Sequence, residues 1–279
     1  MKQHQPSAGS RARQYGVLVI SHGSRSDDWV RLVDEAVADV RVPGGIPVYS
    51  SFLELIDGRL IQDGIAELER QGVTDIIVVP LFVSSGSTHI DEISWALGVT
   101  EEPQLPTELE RFSVTANVHM AAPIDDDPTI AELIYSKIRS LSSDPRQEVV
   151  LLVGHGSIER GFHLRWRRGL ERLAARIRTL GGFAEADVAM LLPDQTARKL
   201  NYWRKQKPDY SVIVAPLFLS EGYFTRNVIP GRLAEHPHVR YHGKALLPSP
   251  LISRWIEVQI ERTLQRAEAG DEQQGQVIG

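Results

Sequence analysis

LVISHGSRSDDW at residues 18–29 and LLVGHGSIERGF at 151–162 decide the fold, because the second is a loose copy of the first. Each opens on a branched apolar run of the kind found in strands buried on both faces. Each then breaks at His-Gly-Ser. A second pair keeps the same order: IIVVPLFVSSGS at 76–87 and VIVAPLFLSEGY at 212–223. The copies lie 133 and 136 residues apart, so the spacing is kept with a three-residue slip. Two long units are too few for a solenoid and read as two similar domains.

Outward from these runs, the strand candidates are Tyr15–Ser21, Ile46–Leu53, Asp75–Val83 and Phe112–Ala121, then Glu148–Val153, Ala186–Leu192, Tyr210–Leu219 and Val239–Leu247. Helix candidates lie between them, near 27–40, 59–71, 90–98, 128–141, 159–179, 195–206, 226–235 and 250–267. Strand–helix alternation predicts an α/β fold with right-handed crossovers. The expectation is two similar domains, each a mainly parallel four-stranded sheet flanked by helices. The first spans 14–142 and the second 147–268, joined near Leu141–Arg146, where SLSSDPRQ has linker chemistry. Residues 1–13 and 269–279 are polar and unpatterned and read as tails.

Composition removes several function classes. The 279 residues carry 36 acids against 31 bases, a formal charge of −5. A general nucleic-acid binder needs a basic surface. There is no cysteine, which excludes disulfides, thiolate metal sites and cysteine nucleophiles. That absence fits the cytosol. The longest apolar run, Ile76 to Val83, is far short of a membrane span, and the N-terminus has no apolar h-region. No nucleic-acid or membrane partner is expected.

Ligands of α/β sheets bind outside the carboxyl ends of the strands. His22 follows Tyr15–Ser21 directly, and Glu54 follows Ile46–Leu53. His89 comes after Asp75–Val83, beyond the turn Ser84–Ser87. Three strands thus deliver two imidazoles and one carboxylate to one sheet edge. That donor set suits Fe²⁺, Co²⁺, Ni²⁺ or Zn²⁺ and leaves open positions, as a reactive site does. Each residue also has a plainer reading, as a hydrogen-bonded loop histidine or a solvated acid.

The second half is a control. His155 repeats His22, but ungapped alignment sets Thr225 against His89 and Arg226 against Ile90, and Glu54 falls within Met190–Leu192. One metal site is therefore expected, in the first domain. GHGSIERG at 154–161 is similar to a dinucleotide loop but has Glu159 where the last part of the motif wants glycine. No GxxxxGK[ST] is present, which argues against P-loop ATP chemistry, and no G-x-S-x-G elbow supports Ser24 or Ser157 as nucleophiles. Arg165, Arg167, Arg168, Arg172 and Arg176 read as the solvated face of one helix. Arg160 and Arg226 lie at the strand-end edge and are candidates for an acidic ligand. His163, His236, His238 and His242 read as surface residues. Trp29, Trp95, Trp166, Trp203 and Trp255 read as packing.

LVISHGSR at 18–25, SFLEL at 51–55 and VVPLFVSSGSTH at 78–89, with the weaker second copy, resemble the class II chelatases, the sirohydrochlorin cobalto- and ferrochelatase family. The match departs after His89, where Asp91 and Glu92 precede Ile93 one position tighter than the family's usual aspartate. The resemblance implies His22, Glu54 and His89 as metal ligands and catalytic residues. It implies ATP-independent insertion of Fe²⁺ or Co²⁺, with Ni²⁺ also accepted by the donor set, into a tetrapyrrole such as sirohydrochlorin, for siroheme or cobalamin. The substrate would lie between the two domains. Arg160 and Arg226 would meet its carboxylates, with Ser85 and Gly86 as further contacts. Glu54 is preferred as a proton acceptor that also steers the metal. No cofactor beyond the substrate metal is implied. Two fused halves favour a monomer. The rivals are a non-enzymatic Co²⁺ or Ni²⁺ carrier and a tetrapyrrole-binding protein without turnover.

Overall fold

The apolar runs of each half become parallel strands because both of their faces find cover. The structure, a computed structural model, describes residues 13–277. In the first half β1 (Tyr15–Ser21) is central, flanked by β2 (Val48–Phe52) and β3 (Asp75–Pro80), with β4 (Asn117–Met120) outside β3. The second half repeats this with β5 (Glu148–Gly156), β6 (Glu185–Leu192), β7 (Ser211–Pro216) and β8 (Val239–Arg240). The orders are β2-β1-β3-β4 and β6-β5-β7-β8, all parallel.

The helices follow the strands: α1 (Asp27–Ala38), α2 (Ile61–Arg70), α3 (Thr88–Ala96) and α4 (Pro128–Ile138), then α5 (Arg160–Gly181), α6 (Thr196–Gln206), α7 (Ile229–Leu233) and α8 (Pro250–Val277). A π-helical turn, Phe224–Val228, precedes α7. Ser26 accepts from the Trp29 amide at the start of α1, and Asp127 caps α4 ahead of Pro128.

Alternate residues of each strand serve different cores. Leu18 and Ile20 face outward, with Ile61, Ile65 and Ile93. Val17 and Val19 face inward, into one core that also holds Val150, Leu152, Ile213 and Ala215 of the second half. The two sheets therefore share a central core, and each has its own outer one. The terminal helices are exchanged. The last helix of the first half, α4, packs on α5 and β7; the last helix of the chain, α8, packs on α1, β3 and β4. Trp255 of α8 is fully buried, and Ser253 Oγ donates to Ala36 O at 2.8 Å. The joining segment is pinned by Glu148, which accepts from Ser142 Oγ, the Ser143 amide and Arg240.

Several predicted strands are trimmed at their ends, and two of them keep less than half of their expected length. Of Phe112–Ala121 only Asn117–Met120 pairs with β3. The Thr115 and Ala116 amides bond the Glu69 carboxylate instead, and the Phe112 amide bonds Ala96 O. Val239–Leu247 yields only Val239–Arg240, because Gly243 at φ 74° turns the chain away. The polar stretch from 269 is helical through Val277, since extending a formed helix costs far less than nucleating one. Residues 1–12 and 278–279 of the two expected tails lie outside the described residues.

Candidate active site

Strand ends place the reactive side chains. β1 stops at Ser21, so His22 leaves the sheet at its carboxyl edge. Gly23 then adopts φ 101°, and a Cβ there would lie 2.1 Å from Glu54 O. Only glycine permits that approach. The approach is tied down by Leu53 N to Ser21 O at 2.8 Å and Glu54 N to His22 O at 3.2 Å. Arg59, at the far end of the Glu54 loop, grips Asp34 of α1 with two hydrogen bonds of 2.8 and 2.6 Å. After β3, Asp125 accepts from the Ser85 amide and hydroxyl at 2.8 and 3.1 Å, which fixes the turn leading to α3. His89 is the second residue of α3.

The two imidazoles meet edge to face, with ring centroids 4.7 Å apart and planes at 81°. Each has its Nδ1 occupied. His89 Nδ1 donates to Glu92 Oε1 at 2.6 Å, and Glu92 Oε2 accepts from Thr107 Oγ1 at 2.9 Å. His22 Nδ1 donates to Gly23 O at 3.2 Å. The acceptors fix the tautomers, so both rings keep the Nε2 lone pair for a cation. Burial, then the nearby His89, hold the His22 imidazole below its ordinary pKa. The bond from His89 holds the Glu92 carboxyl below its own.

Glu54 stands 3.5 Å from His22 Nδ1 and is half exposed. It lies beside Nδ1, the nitrogen already bonded to Gly23 O, and does not line the cavity between the two sheets. Among the described residues no three His, Asp or Glu side chains converge as a ligand set. The geometry is a pair of imidazoles with a carboxylate in reserve. Asp91, in the tighter spacing after His89, is buried and accepts from the Gln104 amide and side chain at 2.8 Å each. Its role is to hold the loop after α3.

A cavity of about 450 Å³ opens between the carboxyl edges of the two sheets. It is the size of a small-molecule site. His22, His89 and His155 line it, with Phe82, Phe218 and Phe224. The halves are matched around it. Phe224 packs edge to face on His155, centroids 5.0 Å apart and planes at 89°, as His89 does on His22. A Cβ on Gly156 would meet Leu192 O at 2.4 Å, as one on Gly23 meets Glu54 O. Phe224 and Leu192 therefore stand where the first half has His89 and Glu54. Ungapped alignment puts Thr225 opposite His89, whereas the ring contacts put Phe224 there.

The four expected substrate contacts divide. Gly86 lines the cavity, and its missing side chain also admits α5: a Cβ would lie 2.5 Å from Trp166. The Ser85 groups are taken by Asp125 and by Arg165, whose Nε donates to Ser85 O at 3.1 Å. Arg165 also bonds Gln104, so it clasps the first half rather than facing solvent. Arg160 is exposed at the start of α5 and does not line the cavity. Arg226 is paired with Glu221 at 3.3 Å and lines a separate cleft of about 290 Å³. Trp29 borders both openings, more than the packing role expected of it. Glu92 and Phe224 were not expected at the site. The His-x-x-Glu spacing on one helix face was the available signal for Glu92.

Among the described residues no helix is long and apolar enough to cross a membrane. The CbiX family model matches residues 16–141 and again 149–263. A sirohydrochlorin ferrochelatase of Priestia megaterium is 25% identical over 218 residues, covering 76% of each chain. A sirohydrochlorin cobaltochelatase of Methanopyrus kandleri is 26% identical over 135 residues, 44% of this chain and 94% of that one. The structure of SirB from Bacillus subtilis with Fe³⁺ superimposes with a TM-score of 0.69 at 19% identity, over 92% of this chain and 98% of that one.

Proposed function

Since this chain belongs to the CbiX family, we propose that it is a sirohydrochlorin chelatase, which inserts Fe²⁺ or Co²⁺ into the macrocycle without nucleotide. The observation that carries this reading is the edge-to-face pair of His22 and His89 on the wall of the cavity between the sheets. Two neutral imidazoles with free Nε2 atoms can ligate a divalent ion while leaving its other positions open to the macrocycle nitrogens. Burial favours the neutral form of His22, and Glu92 keeps the His89 ring turned toward the ion. The aromatic cavity wall suits the apolar face of a macrocycle.

Glu54 is the exposed carboxylate beside His22, just outside the residues that line the cavity, and is the nearest acidic side chain to take a proton from the first half. As the ion enters the ring, a pyrrole N–H bond breaks, its electron pair goes to the metal, and the proton passes to the carboxylate. Metal–nitrogen bonding supplies the driving force. A bare metal carrier has no use for an aromatic cavity of this size.

The test is anaerobic absorbance of the protein with sirohydrochlorin and, in parallel, Fe²⁺, Co²⁺ and Ni²⁺. Insertion above the spontaneous rate, lost in His89→Ala, is the expected result, and the ions then rank themselves. A spectral shift without insertion would replace the enzyme by a binding protein. No macrocycle binding at all would favour the carrier.

A further inference from the structure

Exchange of one divalent ion for two pyrrole protons releases two protons, and a single carboxylate can hold only one of them at a time. The first half supplies Glu54. His22 and His89 cannot take the other proton while they ligate, because a protonated imidazole has no lone pair to give the metal. The second half lacks the counterparts of Glu54 and His89 but keeps a histidine. Leu192 stands in the place of Glu54 and Phe224 in that of His89, while His155 keeps the place of His22.

We propose that His155 accepts the second pyrrole proton, from the side of the cavity opposite the metal pair. This rests on the chelatase reading above. His155 lines the same cavity as His22 and His89. Its Nδ1 donates to Gly156 O at 3.0 Å, which leaves the Nε2 lone pair as the basic atom. Phe224 fixes the ring edge to face and is itself stacked on Phe218, centroids 5.4 Å apart. A phenyl ring gives a cation no second ligand, so His155 stays available as a base. Among the described residues no carboxylate comes within ion-pair distance of it. Glu159 and the metal pair line the same cavity as His155, and His163, one helical turn after Glu159, donates its Nδ1 proton to Ser157 O at 3.0 Å.

The balance is simple. Two N–H bonds break and both electron pairs go to the metal. One proton forms a bond to Glu54, the other to Nε2 of His155, and each is released to water before the next turnover. The exchange leaves the net charge of the macrocycle unchanged, and the product leaves with the ion.

The experiment uses the full chain, Co²⁺ and sirohydrochlorin, with His155→Ala and His155→Gln. Three quantities are read: Co²⁺ affinity without macrocycle, macrocycle affinity without metal, and the insertion rate with and without added imidazole. The expected result is both affinities within about twofold of the parent and a rate lower by about 10²–10⁴-fold, the range of a lost general base. Imidazole should restore part of the rate in His155→Ala. The glutamine variant keeps a hydrogen-bond donor but no base, and should be as slow. A parent-like rate in either variant overturns the proposal. So does a loss of macrocycle affinity that accounts for the whole rate effect, because His155 would then hold the substrate only. Absence of insertion by the parent protein would instead overturn the chelatase reading, and is seen before any variant is made.

Discussion

His22 and His89 differ in what holds them, and each difference is measurable. His89 leans on Glu92, which is fixed in turn by Thr107. Glu92→Gln keeps an acceptor but loses the charge that steers the ring. It should weaken Co²⁺ binding about 10–100-fold, read by metal titration, while thermal unfolding barely moves. His22 is lowered chiefly by burial and then by His89. Its folded-state pKa lies below that of the unfolded chain, so the unfolded chain takes the proton first as pH falls. The contribution of neutral His22 to stability is therefore complete above pH ~6.5 and declines below it. Ring-proton NMR of the metal-free protein should place His22 below the free imidazole value, and His89→Phe should raise it. The two histidines and Glu54 were legible in the sequence because they sit where three strands end. Glu92 has only the His-x-x-Glu spacing as its signal, and its role depends on where α3 starts, which the chain fixes through Asp125, far along the sequence.

At the scale of elements, the His-Gly corner is the repeated device. Gly23 at φ 101° and Gly156 at φ 84° let their loops pass close under Glu54 O and Leu192 O. Alanine at either position should cost about 1–3 kcal/mol from backbone strain, read by denaturant unfolding. The two variants should part in function. Gly23→Ala displaces His22 and weakens Co²⁺ binding; Gly156→Ala costs stability with the metal pair intact. Comparable loss of metal affinity in both would mean that the halves share the ion. The strand cores were readable from continuous branched apolar runs. The edge strands were not, since side chains of Glu69 and a turn at Gly243 end their pairing before the apolar pattern ends.

The whole molecule is bound by the exchange of its terminal helices. Because α8 covers the first sheet and α4 packs against the second, neither half carries all of its own cover. Trp255→Ala should cost about 3–5 kcal/mol and lower the unfolding of both halves together, as one transition by calorimetry. A chain ending at residue 249 should lose native near-ultraviolet circular dichroism in the first half as well as the second. Two separate transitions in the parent would contradict the shared core. The amino-acid sequence by itself determined the duplicated α/β halves, the parallel strands and the strand-end placing of His22, Glu54 and His89, because local periodicity and turn chemistry dictate these. Only the tertiary structure decided that the helices cross between halves, that Arg226 turns to its own cleft, and that Phe224 rather than Thr225 stands opposite His89. Those features depend on register shifts and on contacts between residues distant in the chain, which no local pattern encodes.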